Sequence, residues 1–468
     1  MLSRLRLPWD WIRGGSNDES TYREEEVLRE KRRAQVGVVR RALDGQVAAA
    51  AADGPGRVTD DADLAFLYRP GHAIVRNEAA FERVFGFFGQ RQEIYTGNIE
   101  RVPERSSESG ILVTLPARRD GLDDVLATLD EIDDAFERGS GADAEVEQHT
   151  REHPLVTPDH LLYVTGYIRP SLCPATEPEM VRTKTPWPPQ NPDDSVGKDI
   201  RVSVVDTGLW KGALTHPATD DWMDGVDCAP KDEEHVDPLA IHEYAGHGTF
   251  VSGVIQCLAP GSTVDVEGLL TKGGAVFEKD ICEQLHDALE SKGHPQVISI
   301  SAGTYTRKNM SLLGFQMLAA AHGLDDGEET LVVAAAGNDN TDEPFYPAAF
   351  EWVTAVGSVD ANGKRSKFSN YGDWVDVYAR GSNLVNAFPE GTYKCVEPPN
   401  VGQIRTFRGL ARWSGTSFST PIVSGLIAAR MSAAGENVIQ ARDAVLGAGT
   451  AGGTDPDGNP IRIVGPLT

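Results

Sequence analysis

From residue 200 onward, short apolar runs alternate with helical stretches, and this alternation leaves the chain few folds to choose from. Strand candidates lie at 200–205, 264–270, 297–301, 331–336, 353–357 and 375–379. Helix candidates lie between them at 248–258, 278–291 and 311–323, and a fourth follows Ser417. Near-continuously apolar strands need cover on both faces, and intervening helices supply it. The expected fold is therefore α/β, a mostly parallel sheet with helices on both faces. In such sheets, functional groups gather at the carboxyl ends of the strands.

Upstream the pattern changes. Pro170, Pro174, Pro178, Pro186, Pro188, Pro189 and Pro192 leave little room for regular structure, so 169–198 reads as a linker. Before it, residues 61–168 read as a small α+β unit. A strand at 72–76 is followed by a helix at 78–88 with Phe81, Val84, Phe85 and Phe88 at helical spacing. Strands at 93–102 and 110–115 come next. Then Leu122, Val125, Leu126, Leu129, Ile132 and Phe136 mark an amphipathic helix, and 160–164 closes the set. The order β-α-β-β-α-β is that of the ferredoxin-like split βαβ unit. Residues 1–60 form a charged N-terminal segment. Opposite charges three and four apart between 19 and 43 predict a solvated helix, with a partner-binding helix as the sharper alternative. Residues 48–56 read as a flexible joint. The second half, 199–468, carries the sheet.

Composition narrows the function classes. The 468 residues carry a formal net charge of −26, which argues against nucleic acid and anionic membranes as partners. The five cysteines (Cys173, Cys228, Cys257, Cys282, Cys395) are odd in number and show no CxxC spacing. Neither a zinc site nor a disulfide framework is expected, and buried free thiols fit a reducing compartment. Residues 1–10 are basic without a following apolar run, a poor secretory signal. No stretch reaches the ~18 apolar residues of a membrane span. The expected location is cytoplasmic.

Four residues carry candidate chemistry. Ser417 lies in Gly415-Thr416-Ser417, at the start of a helix whose Pro421 is placed in the first turn, where its missing N–H costs nothing. A lone serine there is more often an N-cap. Asp206 follows the strand at 200–205, His247 opens a small-residue helix, and Asn338 ends the apolar run at 331–336. Each alone has a structural reading: a turn, a core imidazole, a loop amide. Together they supply what acyl transfer by serine requires, namely a hydroxyl, an imidazole to take its proton, a carboxylate to hold the imidazole, and an oxyanion donor.

The motifs that hold these residues are Val205-Asp206-Thr207-Gly208, Gly246-His247-Gly248-Thr249, Ala335-Ala336-Gly337-Asn338 and Gly415-Thr416-Ser417 through Pro421. In this order they resemble the subtilisin-like serine proteases (subtilases, peptidase family S8). Tyr346-Pro347-Ala348 and Phe368-Ser369-Asn370-Tyr371-Gly372 are similar to further landmarks of that family. The resemblance spans roughly 195–434. It implies a serine endopeptidase acting on polypeptides, with Ser417 as nucleophile, His247 as general base and acid, Asp206 as its orienting carboxylate and Asn338 in the oxyanion hole. It further implies that Ser301, Ala302 and Gly303 align the substrate, that Ala334, Ala335, Ala336 and Gly337 wall the primary pocket, and that Gly273 and Gly274 flank the substrate on the other side. Phe250 and Phe418-Ser419 depart from the usual family pattern without removing a catalytic group. The longer connection 380–412 is expected to cover the cleft or narrow specificity.

No cofactor is required by this chemistry, and no metal ligand is assigned. Ca²⁺ binding is a habit of the family, which makes the acidic segment 220–243 a candidate, although it lacks EF-hand spacing and a solvated loop is the leading expectation. Many relatives carry a propeptide of the β-α-β-β-α-β shape, so the N-terminal half is expected either to block the cleft or to recruit a regulatory protein. The alternative to an endopeptidase is a catalytically silent, protease-like scaffold that binds peptide without cutting it.

Overall fold

The computed structural model describes residues 19–51, 58, 60–103, 105–121, 124–137, 154–164, 176–270, 273–291, 293–327 and 329–467. Leu122, most of the joint at 52–56 and the part of the linker holding Pro170, Cys173 and Pro174 lie outside the described residues.

Helix α1 (Glu19–Ala42) opens the described chain. The charge spacing does mark a helix, but not a solvated one: Val36, Val38 and Val39 are buried. Its buried Lys31 places Nζ 2.9 Å from Glu397 Oε2, and Gln35 Nε2 donates to Glu397 Oε1 at 2.7 Å. Arg29 and Arg33 pair with Asp60 at 2.8 and 2.7 Å. Charge periodicity reports helix formation but not which face is covered, and here the complementary carboxylate comes from the far end of the chain. The expected joint is corrected as well. Its first residues form β1 (Ala48–Ala51), which pairs antiparallel with β2 (Leu64–Val75). Four alanines carry almost no strand signal of their own; the ladder is set by the partner.

After β2 come α2 (Glu78–Gly89), β3 (Glu100–Arg101), β4 (Ile111–Thr114), α3 (Val125–Glu137) and β5 (Val156–Tyr163). Asn77 caps α2, its Oδ1 accepting from Ala80 N–H at 3.0 Å. The strand expected over 93–102 shrinks to two residues, because Ile94 and Tyr95 are bonded back to Arg91 in turns. Tyr95 is buried instead, edge-on to Phe88 at 4.8 Å between centroids. The strands lie in the order β5-β2-β4-β3, every neighbouring pair antiparallel.

The expected linker holds one short strand, β6 (Glu179–Met180), and the second half then runs through β7 (Arg201–Asp206), β8 (Val226–Asp227), α4 (His247–Leu258), β9 (Thr263–Gly268), β10 (Ala275–Phe277) and α5 (Glu278–Glu290). It continues through β11 (Val297–Ile300), α6 (Leu313–His322), β12 (Leu331–Ala335), β13 (Thr354–Val359) and β14 (Val377–Arg380). The sheet order is β8-β9-β7-β11-β12-β13-β14, all parallel, extended by a strand at Pro460–Ile463 and its antiparallel neighbour at Thr450–Thr454. Successive residues of each strand serve opposite faces. Val204, Val297 and Val333 face the apolar layer that holds Val254 of α4, whereas Val205, Ile298 and Val332 face the layer that holds Ile281 and Leu285 of α5.

Residues after β14 form β15 (Leu384–Ala387), the hairpin β16 (Gly391–Lys394) and β17 (Ile404–Phe407), and β18 (Leu410–Trp413). β18 lies between β15 and β6, antiparallel to both. Helices α7 (Thr416–Ala434) and α8 (Val438–Gly447) follow. Gly425 lets α7 approach α4; a Cβ there would stand 3.0 Å from Leu258 Cβ. One strand crosses between the halves of the chain. β10 leaves the parallel sheet and pairs antiparallel with β5, so the N-terminal sheet gains a strand from the second half. Cys228, Cys257, Cys282 and Cys395 are buried free thiols. Among the described residues no helix is long and apolar enough to cross a membrane.

Candidate active site

Asp206 ends β7, which is hydrogen-bonded on both sides, to β9 and β11. Its Oδ1 accepts from Thr207 N–H at 2.7 Å and lies 2.7 Å from His247 Nδ1. His247 is the first residue of α4, preceded by Gly246 in the left-handed region (φ 77°). A Cβ at Gly246 would fall 2.2 Å from Pro389 Cδ, so the turn that delivers His247 to Asp206 requires glycine. Asp206 and His247 are fully buried.

Aromatic rings wall the imidazole. Trp413 stands edge-on at 5.4 Å between centroids and Phe418 lies at 5.1 Å, with Phe250 tilted behind Phe418 at 4.6 Å. The unusual Phe250 and Phe418 thus share one role: they keep water from the carboxylate–imidazole pair, whose attraction strengthens as the local dielectric falls. Trp413 was not singled out from the sequence, although it borders the Gly-Thr-Ser turn.

Ser417 is the second residue of α7. Its Oγ donates to Ser301 O at 3.4 Å, and Ser301 Oγ donates to Ser417 O at 2.9 Å. The second bond follows from Pro421. The helix starts a turn earlier than the sequence suggests, so Pro421 lies inside it, where its missing N–H would have bonded the carbonyl four residues back. That carbonyl is Ser417 O, and Ser301 satisfies it. The proline thus frees an acceptor that fastens the serine to the segment 301–303 that follows β11. His247 Nε2 has no hydrogen-bond partner among the described residues. Asp206 and His247 are therefore joined, whereas Ser417 Oγ is turned to Ser301.

Asn338 lies just beyond β12. Its Oδ1 accepts from Thr416 N–H at 2.7 Å and from Thr416 Oγ1 at 3.0 Å, which holds the carboxamide against the start of α7. Ala334 and Ala335 lie in β12; Ala336 O accepts from Asn370 Nδ2 at 2.8 Å, and Gly337 N–H donates to Thr416 Oγ1 at 3.2 Å. Ser417 and Asn338 are only 1% and 2% exposed. The end of β5 lies alongside the strand that aligns Ser417. Tyr163 and Gly303 exchange two backbone hydrogen bonds of 3.1 Å, and Val164 N–H donates to Gly274 O at 2.9 Å. The segment therefore runs between Ser301-Ala302-Gly303 and Gly273-Gly274. Gly273 in turn carries α1: a Cβ there would lie 2.6 Å from Ala42 Cβ.

Glu234 was hidden in the acidic segment, which is not a uniformly solvated loop. Buried Glu234 accepts from Gly246 N–H at 2.7 Å, and Asp232 from Gly268 N–H at 3.0 Å. These carboxylates tie loops together. Among the described residues the segment gathers no three carboxylates within reach of one ion. Burial, and next the nearby Asp206, push the Glu234 carboxyl up to about 8. The folded chain thus keeps a proton that the unfolded chain releases near the ordinary glutamate value. Stability from this group is complete below about 4.5 and declines as pH rises towards about 8. Glu234→Gln is expected to flatten the fall in Tm across that window, read by thermal unfolding at a series of pH values. Superimposable wild-type and variant curves would contradict the assignment.

The sequence profile described as "Subtilase family" matches residues 197–445. The chain is similar to the "Thermophilic serine proteinase" of Bacillus sp. (strain AK1), 32% identical over 259 residues that make up 52% of this chain and 55% of that protein. It is similar to the "Major intracellular serine protease" of Bacillus subtilis (strain 168), 31% identical over 247 residues, 50% of this chain and 68% of that one. The chain thus spans about half the length of the first of these relatives. Among solved structures, the prenylagaramide maturation protease PagA aligns with 57% of this chain and 88% of its own at 26% identity, with a TM-score of 0.43. With a match across 249 positions of the 468, and the Asp206, His247 and Ser417 segments all inside it, the chain belongs to the subtilase family.

Proposed function

We propose that this chain is a serine endopeptidase that works through Asp206, His247 and Ser417 and is held latent by its N-terminal half. The observation that carries the reading is the buried 2.7 Å contact between His247 Nδ1 and Asp206 Oδ1 beside the start of α7. With the proton on Nδ1 facing Asp206, His247 Nε2 keeps a lone pair for the proton of Ser417. The mechanism requires Ser417 Oγ to turn away from Ser301 O and towards His247 Nε2. Ser417 Oγ then bonds to the carbonyl carbon of the scissile peptide as its proton passes to His247 Nε2. The negative charge on the former carbonyl oxygen is met by Ser417 N–H and the Asn338 carboxamide. Collapse expels the amine, which takes the proton from His247, and leaves an acyl ester on Ser417. Water repeats the sequence and releases the acid. Asp206 stays ionised and steadies the imidazolium.

The substrate is an extended polypeptide, bound by strand addition between Ser301-Ala302-Gly303 and Gly273-Gly274. Support for latency comes from β5, whose last residues already make those backbone bonds through Tyr163 and Val164. In this reading residues 61–168 are the inhibitory unit, 169–198 the linker to be cut and 199–468 the catalytic unit, with α1 laid over the flank of the cleft at Gly273. Hydrolysis of casein by the purified chain, set against Ser417→Ala, tests the activity; equal and negligible turnover by both, even after limited removal of the N-terminal half, would favour the silent scaffold. Asn338→Ala is expected to lower kcat by ~10²–10³ with little change in KM, a magnitude carried over from subtilisin itself rather than obtained from this geometry. Steady-state kinetics on a peptide amide checks it, and an unchanged kcat would remove Asn338 from the oxyanion site.

A further inference from the structure

We propose that His286, Glu290 and His322 form a Zn²⁺ site on the outer face of α5 and α6, oriented by Glu108 from the N-terminal unit. One ligand atom from each of the three lies within 4.8 Å of the other two. His286 and Glu290 are one turn apart on α5, and His322 ends α6, where Gly323 turns the chain in the left-handed region. His286 Nδ1 lies 2.9 Å from His322 Nε2. On the far side of the ring, His286 Nε2 stands 3.2 Å from Glu108 Oε2.

The geometry carries the argument. A carboxylate at His286 Nε2 holds the ring proton there, which leaves the Nδ1 lone pair directed at His322. In the metal-free chain His322 Nε2–H donates to that lone pair; Zn²⁺ would take the place of this proton between the two imidazole nitrogens, with the Glu290 carboxylate close by, a donor set that suits Zn²⁺ and not a hard ion such as Ca²⁺. Tetrahedral ligation needs the two nitrogens slightly further apart than 2.9 Å, a small adjustment for a residue at a helix end. A carboxylate on the outer nitrogen of a ligating histidine is a recurring device that fixes ring orientation and raises basicity. No cysteine takes part, which is why cysteine spacing gave no hint of the site.

The position has a consequence for latency. The loop holding Glu108 is seated on α5 by other bonds: Lys279 Nζ donates to Ser106 O at 2.6 Å, to Ser109 Oγ at 2.7 Å and to Gly110 O at 2.9 Å, and Arg105 pairs with Asp280 at 2.8 Å. Metal on His286 strengthens the pull of that imidazole on Glu108, and so adds a clamp between the N-terminal sheet and α5.

The test uses full-length chain carrying Ser417→Ala, so that it stays whole, stripped with chelator and titrated with Zn²⁺ alone by calorimetry near neutral pH. One Zn²⁺ per chain is expected with micromolar or tighter affinity, together with a rise in Tm. His286→Ala and His322→Ala are each expected to abolish this binding. Glu108→Gln, which leaves the three ligands intact, is expected to weaken it ~10–100-fold. Circular dichroism of the metal-free variants establishes that they are folded, and His322→Gln serves in place of His322→Ala if the latter is not. Absence of saturable binding, or binding that survives loss of both histidines in a folded chain, overturns the proposal.

Discussion

Ser417→Ala is expected to abolish peptide hydrolysis, with kcat falling by ~10⁶, a size carried over from subtilisin rather than obtained from this geometry. The loss is large because the substitution removes the one atom that forms the covalent intermediate. What remains, oxyanion stabilisation and strand pairing, speeds only direct attack by water. The fold should be spared. Ser417 Oγ makes a single long contact of 3.4 Å to Ser301 O, whereas the bond that fastens this turn, Ser301 Oγ to Ser417 O, uses the backbone and survives. The variant should therefore keep the wild-type stability to within about 1 kcal/mol, as one weak hydrogen bond allows. Steady-state hydrolysis of a peptide amide and thermal unfolding, run on the same preparations, check the two halves of this statement. Activity within tenfold of wild type would place the nucleophile elsewhere.

The second large effect concerns the N-terminal half. Wild-type chain is expected to cut itself between about Ile168 and Ser195, and Ser417→Ala to remain intact. The backbone pairing brings the strand to the nucleophile. Tyr163 exchanges two bonds with Gly303, which seats the end of β5 beside the segment that holds Ser301. Ser301 O is the atom that Ser417 Oγ touches, at 3.4 Å. The peptide bond expected to be cut therefore lies in the linker that follows this strand. An attached inhibitory strand acts at an effective concentration on the order of 1 mM. Even micromolar affinity for the cleft would then suppress activity about 1,000-fold until the strand is severed and lost. Intact-mass spectrometry of both forms, with turnover measured before and after separation of the fragments, provides the reading. A fully active wild type that stays whole would reduce the N-terminal half to a recruiting or targeting module, and would leave the triad unaffected.

Legibility differed by kind of residue. The parallel strands could be read because each is a short, doubly covered apolar run, and their limits moved by only a residue or two: 200–205 became Arg201–Asp206 and 297–301 became Val297–Ile300. Asp206, His247, Asn338 and Ser417 could be named because each stands at a strand or helix end within a short, distinctive motif. Where the sequence reading failed, the governing partner was distant. The charge pattern of α1 could not announce that Lys31 and Gln35 would meet Glu397, nor could four alanines announce a strand. Pro421 was placed in the first turn because nothing local reveals that Ser301 will satisfy the carbonyl it leaves open.

The sequence by itself determined the sheet, the helices that cover it and the candidate reactive groups, because periodicity and turn chemistry act over a few residues. The tertiary structure alone decided which of those groups touch. It joined His247 to Asp206, turned Ser417 to Ser301, walled the imidazole with Trp413 and Phe418, and laid β5 between Gly274 and Gly303. These contacts link segments far apart in the chain, and their geometry depends on how two sheets and their helices pack, which no local pattern encodes.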